Sequence, residues 1–437
     1  MSKHFYMTAI VLTTAVLISW LVLSDQSDAP RFHPSAYPAY IPQPDDSFQF
    51  YLEENRKRIR SALNTYYYAQ ELEPFGEGLP LETVLEMRSP FQYLPEEDCA
   101  DAENRVIEEA TKGFLLVHGL TDSPYLLRSI AGELHTEFPC AFIQALLSPG
   151  HSTVPGDLLN VRLEQWQATF DWGVANLNSQ ADEVTVLGYS NGSALALNFL
   201  NSNITDPFNS IDRLVLISPG LKPADGRAYL TPYLKYLQPW LNKHEDRDAV
   251  KYESFPTNAA AEFYKLTKRV TAADAPILKT PTLMIVSGDD TTIDASAAAD
   301  LFCNKLSAPE KKLIWLQSSS PESQLPQNCE GTEAWEHTSD NKTERVASLS
   351  HVALSIPSSD LHYGIDGRYP VCLAHADFPT RLSRCLDDKQ NSIYGESNFL
   401  DQNGEYNGAI VRRTSFNPRF DDMMLQINCF IRNNCSQ

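Results

Sequence analysis

The sequence predicts an α/β protein: a mostly parallel central sheet, helices on both of its faces and a helical cap. Two observations carry this expectation. From residue 113 onward, short and nearly unbroken apolar runs alternate with amphipathic stretches of helical period. One Tyr-, Leu- and Pro-rich stretch, 221–275 ("YLTPYLKYLQPWL" within it), then interrupts that alternation between the fifth and sixth core segments and reads as the cap.

The segments follow in order. "GFLLVHG" (113–119) reads as a buried strand, and "SPYLLRSIAGELHTE" (123–137) as a helix capped by Ser123 with Pro124 in its first turn. "AFIQALL" (141–147) reads as a strand and "RLEQWQATFDWGVANL" (162–177) as a helix. "EVTVLG" (183–188) leads into an apolar helix from about 192, followed by the strands "RLVLIS" (213–218) and "TLMIVSG" (282–288). "DASAAADLFCNKL" (294–306) is a helix with Asp294 as cap, and "KLIWLQ" (312–317) is a strand. Residues 318–345 are polar and read as a long loop. The Cys-containing extension over 358–437 reads as irregular until a closing helix at "FDDMMLQINCFIRN". The α/β core so delimited spans 85–437, preceded by a Pro-rich tether and a helical extension over 30–84.

Composition narrows the function classes. The chain of 437 residues carries 56 acidic and 35 basic side chains, a formal net charge of -21, which disfavours nucleic acid and anionic lipid headgroups as partners. The uncharged run Phe5–Leu23 over residues 1–29 reads as a retained membrane anchor or a cleaved signal peptide, the anchor preferred. Both place the bulk of the chain outside the cytosol, on the periplasmic side of an inner membrane or secreted. Eight cysteines agree with that compartment and predict disulfides, Cys429–Cys435 and Cys372–Cys385 first because they close the shortest loops. No C-x-x-C or His-rich spacing suggests a metal, no cofactor is implied, and a monomer is expected.

Gly188-Tyr189-Ser190-Asn191-Gly192 fits G-x-S-x-G between a strand and a helix, a corner that would hold Ser190 under backbone strain as a nucleophile. A nucleophilic serine needs a base, and the base an orienting carboxylate. His351, in "ASLSHVALSIP", follows the last core strand and is the preferred base, with His362 in reserve. Asp289 and Asp290 leave a strand end together and cannot both face one way; Asp290 is preferred because Ile293 can anchor its loop. Backbone N–H groups of Asn191 and Leu120 are the candidate oxyanion donors, and His118 reads as a hydrogen-bonder beneath the Leu120 loop.

"HGLTDSPYLLRSIAGEL", "SPGHSTVPGDLLNVRLEQW" and "VLGYSNGSALAL" together resemble α/β-hydrolases of the serine-aminopeptidase, lysophospholipase and monoglyceride-lipase-like branch, over roughly 85–357. That resemblance implies the α/β-hydrolase fold, a Ser190–Asp290–His351 triad and a Leu120/Asn191 oxyanion hole. The sequence departs from the family pattern at Ser152 and Ser193, where glycines are usual, and in the 318–345 insertion. The expected activity is hydrolysis of small or lipid-derived carboxylic esters through an acyl-enzyme. Two other readings stand beside it: an aminopeptidase-type amide hydrolase, with "HEDRD" (244–248) holding a substrate amine, and a non-catalytic binding protein on the same fold.

Overall fold

Side chains alternate between the two sides of each core strand, and both sides are apolar. On β2 (Lys112–Val117), Leu115 and Val117 join one core while Phe114 and Leu116 join the other. The same division separates Leu214 and Leu216 from Val215 and Ile217 on β5 (Arg213–Ile217). A strand buried on both faces needs a helix layer on each, which is the physical content of the unbroken apolar runs.

The computed structural model describes residues 29–433 apart from 72–73, 77, 100–110, 203–209, 274, 277 and 330–333. Its main sheet has eight strands: β1 (Phe91–Tyr93), β2, β3 (Phe142–Leu146), β4 (Glu183–Tyr189), β5, β6 (Thr282–Ser287), β7 (Lys311–Gln317) and β8 (Ala334–Thr338). Their spatial order is β1-β3-β2-β4-β5-β6-β7-β8; β1 runs antiparallel to β3 and every other pair is parallel. One face is covered by α1 (Phe48–Leu63), α2 (Leu81–Arg88), α4 (Leu163–Asn178), α5 (Asn191–Ser202) and α7 (Ala295–Asp300), the other by α3 (Arg128–Glu137) and the closing helix α9 (Phe420–Arg432). Ile427 and Phe430 of α9 are fully buried, and each such side chain stabilises by roughly 1.5–3 kcal/mol.

Several expectations need correction. The 318–345 stretch is not simply a loop: Ala334–Thr338 adds β8 to the sheet edge, in register with Leu313–Gln317. Its polar side chains suit an edge strand, which leaves one side to water. The 221–275 segment is helical only in a short turn at Ala228–Leu234 and in α6 (Thr257–Val270). Between them Trp240–Asn242 pairs antiparallel with Phe255–Pro256, since Pro239 and Pro256 cannot continue a helix. The Pro-rich stretch after residue 29 is not a free tether. Ser35 N–H and Oγ bond the Asp157 carboxylate at 2.6 and 2.8 Å, and Gly156 leaves room only for the His33 backbone.

Ser123 makes no capping hydrogen bond; its helix starts as a 3-10 turn at Pro124–Leu127 and becomes α-helical at Arg128. The extension before α9 also has structure of its own. Helix α8 (Pro379–Asp387) packs beside a three-stranded sheet of Ile393–Gly395, Ala409–Arg413 and Glu405–Tyr406. Cys372 and Cys385 are disulfide-bonded as expected, and Cys99–Cys140 and Cys303–Cys329 are two further bonds. Cys435, in the expected Cys429–Cys435 pair, and the Phe5–Leu23 run lie outside the described residues. Among the described residues no helix is long and apolar enough to cross a membrane.

The N-terminal extension is joined to the sheet by one side chain above all. Tyr51 is fully buried, packs its ring tilted against Trp172 with centroids 4.9 Å apart, donates to the Leu147 carbonyl at 2.8 Å and accepts from its N–H at 2.9 Å. Tyr51→Phe leaves both backbone groups of Leu147 unpaired in a dry site. It is expected to cost about 1–3 kcal/mol, read as a lowered thermal midpoint with an unchanged circular dichroism spectrum.

Candidate active site

The turn from β4 to α5 is closed by two backbone approaches. A Cβ on Gly188 would sit 2.6 Å from the Ser193 nitrogen, and one on Gly192 would fall onto the Val117 carbonyl oxygen of β2. Glycine is therefore required at both positions for helix and sheet to meet. Between them Ser190 takes φ 52°, a left-handed backbone that costs a non-glycine residue about 1–3 kcal/mol unless its surroundings hold it. They do: Ser190 N–H donates to the Ile217 carbonyl at 2.9 Å, and its own carbonyl accepts from Gly220 N–H at 3.0 Å.

Ser193, which replaces the usual glycine, does not enter a substrate space. It is fully buried and its hydroxyl donates to the Gly188 carbonyl at 2.5 Å, so it reinforces the corner from behind. Ser152, the other departure, sits at φ 67°, where glycine is the easy residue. Its hydroxyl compensates by donating to the Arg88 carbonyl at 2.7 Å.

Three side chains from distant parts of the chain converge here. His351 Nε2 lies 2.8 Å from Ser190 Oγ, and its Nδ1 lies 2.5 Å from Asp290 Oδ2. With a carboxylate at Nδ1, that nitrogen carries the hydrogen and Nε2 accepts from the serine hydroxyl. Asp290 is itself fixed, because its other oxygen accepts from the N–H groups of Thr292 and Ile293 at 2.8 and 2.9 Å. Ile293 is buried and bridges to Pro223 at the start of the cap segment. Asp289 points the other way, where Ser318 and Ser339 donate to it at 2.5 and 3.3 Å, joining the ends of β6, β7 and β8.

The reserve base, His362, is elsewhere: it meets Asp248 at 3.0 Å, and Tyr363 donates to the same carboxylate at 2.6 Å. Asn191 opens α5 immediately after Ser190, so its N–H is among the unpaired first-turn donors of the helix. Leu120 lies in the loop after β2, half-buried and packed against the core that also takes in α5. Gly119 lets this loop pass close to Tyr189, whose ring would be 2.9 Å from a Cβ there.

Two histidines hold that loop, and the role of the second was not legible in the sequence. His118 Nδ1 donates to the Gly119 carbonyl at 2.7 Å and its Nε2 accepts from Ser148 N–H at 3.0 Å. His151 turns Nδ1 toward the Ser148 and Pro149 carbonyls and accepts from Thr121 N–H at 3.0 Å through Nε2. Both acceptor roles require neutral rings. Burial enforces this, lowering His118 well below the usual histidine range and His151 to about 4.

That depression has a consequence for pH. The unfolded His151 takes up a proton near 6.5 and the folded one only near 4, so its contribution is complete above about pH 6.5 and is lost as pH falls toward 4. Wild type is expected to lose stability across that window, by an amount on the order of 3 kcal/mol from this residue alone. His151→Gln should flatten the slope in a plot of thermal midpoint against pH; an unchanged slope would refute the assignment.

No family model matches the chain. It is 27% identical to a thermostable monoacylglycerol lipase of Bacillus sp. (strain H-257) over 223 residues, 50% of this chain and 86% of that protein. Among solved structures, one from work on the metagenome-derived lipolytic enzymes LipS and LipT matches with 19% identity and a TM-score of 0.44 over 55% of this chain and 92% of its own. A Paleococcus ferrophilus monoacylglycerol lipase matches with 16% identity and a TM-score of 0.38 over 51% and 86%. With its parallel sheet and the Ser190 corner between β4 and α5, this chain has the α/β-hydrolase fold, and over half its length it is similar in sequence to a monoacylglycerol lipase.

Proposed function

We propose that the protein is a serine hydrolase of carboxylic esters that works through an acyl-enzyme, with lipid-derived esters of the monoacylglycerol type as its substrate class. The observation that carries this reading is the continuous hydrogen-bonded series Ser190–His351–Asp290 at the strained corner. His351 takes the proton from Ser190 as Oγ attacks the ester carbonyl. The oxyanion that forms is met by the N–H groups of Asn191 and Leu120, and Asp290 balances the imidazolium. His351 then protonates the departing alcohol, and in the second half of the cycle it activates the water that releases the acid. No cofactor enters these steps.

The substrate class rests on the relative's name and on the cap. Tyr229, Tyr233, Tyr236 and Leu237 are all exposed on the cap segment, a surface suited to apolar substrates. The amide-hydrolase reading has less support, because the carboxylates of "HEDRD" already have partners. Asp246 accepts from Tyr67 at 2.9 Å, Asp248 is held by His362 and Tyr363, and Glu245 pairs with Arg247 at 2.8 Å. Three disulfides among the described residues support an exported location.

A fluorophosphonate probe is expected to label the wild type and not Ser190→Ala; a folded wild type that resists labelling would overturn the proposal. Chain-length panels of p-nitrophenyl esters and monoacylglycerols, run beside aminoacyl anilides, test the substrate class. The two aspartates are expected to separate cleanly. Asp290→Asn should lower kcat by about 10³–10⁴-fold, as loss of the orienting carboxylate does in such triads. Asp289→Asn should leave kcat within severalfold while lowering the thermal midpoint.

A further inference from the structure

The C-terminal extension reaches the loop that carries Asp290. Its strand Ala409–Arg413 ends at Arg413, whose Nη2 donates to Thr292 Oγ1 at 2.7 Å. Thr292 is the residue whose N–H holds Asp290 Oδ1. The guanidinium is in turn gripped side-on by Glu396, with Nε at 2.9 Å and Nη2 at 2.8 Å, and Glu396 is fully buried. This two-point pairing fixes the plane of the guanidinium, which an ammonium could not do.

The same extension holds the loop that carries His351. Ser350 Oγ donates to the Thr414 carbonyl at 2.5 Å, and Thr414 Oγ1 donates to the Ser348 carbonyl at 2.7 Å. Ser348 Oγ accepts from Glu396 N–H at 2.8 Å. Ser397 and Thr291 hydroxyls meet at 3.1 Å, a second tie to the Asp290 loop. Both loops that must present the base and its acid to Ser190 are therefore fastened to residues 396–414.

We propose that Arg413, clasped by Glu396, is a positioning residue that holds the Asp290 loop in place and sets the charge balance behind the Asp290–His351 pair. The inference rests on the triad reading above. Asp290 lies near enough to stabilise the Arg413 cation. Other charged groups face the same region. Asp122, paired with Lys251 at 3.3 Å, lies within electrostatic reach of His351. Asp248, Lys251 and Glu253 share with Arg413 a cavity of about 30 Å³, beside Val352. Because Glu396 neutralises Arg413, the intact pair leaves these fields nearly unchanged, and either half alone does not.

Charge removal on the two sides of the pair therefore has opposite signs. Arg413→Gln leaves Glu396 unbalanced, favours the imidazolium and is expected to move the acid limb of the kcat/KM profile to higher pH. Glu396→Gln leaves the cation unbalanced and is expected to move it to lower pH. Each shift should be about half a pH unit or more, with kcat reduced about tenfold in Arg413→Gln and KM changed less than twofold. Arg413→Lys should restore the position of the limb but only part of kcat. Rates are to be normalised to fluorophosphonate-titratable sites, so that misfolded protein does not count; if Arg413→Gln does not fold, the sign in Glu396→Gln decides. Limbs that coincide with wild type, or shift the same way in both variants, would overturn the proposal. An inactive wild type would instead overturn the triad reading.

Discussion

The site depends on the absence of two side chains. Without a Cβ at residues 188 and 192, α5 begins against the backbone of β2 and β4, and that contact forces Ser190 into its left-handed conformation. Other features of the site answer to this corner. The Ile217 and Gly220 backbone secures Ser190, Ser193 supplies a hydroxyl to the Gly188 carbonyl, and the Leu120 loop passes the corner because residue 119 is also a glycine. A tight corner fixes the Oγ position, as the proposed proton transfer to the His351 imidazole requires.

Fixing one atom is of little use unless its partners are held equally well, and here they come from loops. The Asp290 loop is bridged on one side to the cap segment, through Pro223 and Ile293, and on the other to the extension through Thr292 and Arg413. The His351 loop is tied to β6 by Ser287, whose hydroxyl donates to the Leu349 carbonyl at 2.6 Å, and to the extension by Ser350 and Thr414. Short hydroxyl-bearing side chains make most of these ties. They satisfy buried carbonyls at little cost in conformational entropy, which suits loops that must not move.

Polar groups near the site are used for structure as well as chemistry. His118 and His151 are held neutral by burial and serve as backbone acceptors. Asp248, His362 and Tyr363 form a buried cluster that joins the cap segment to the extension. The structural histidines can be told from His351 by their partners. His118 and His151 use both nitrogens on backbone groups and His362 turns one to Asp248, while His351 turns one nitrogen to a carboxylate and the other to a serine hydroxyl.

The core strands and the corner at Ser190 were legible in the sequence, because each is written in short-range pattern; Asp290 and His351 were only preferred among several candidates, from their places after core strands. A strand buried on both faces must be apolar throughout, and a corner with two backbone approaches must carry glycine at both. The sequence alone did not separate Asp289 from Asp290 by contact, reveal β8 in the polar insertion, or show that the Pro-rich stretch lies against Asp157. Nor did it mark Arg413 and Glu396, 17 residues apart, as a pair behind Asp290. These depend on which surfaces meet after the sheet has formed, and no local period or spacing encodes such long-range contacts. Local sequence determined the sheet and the serine corner; tertiary packing alone decided what supports them.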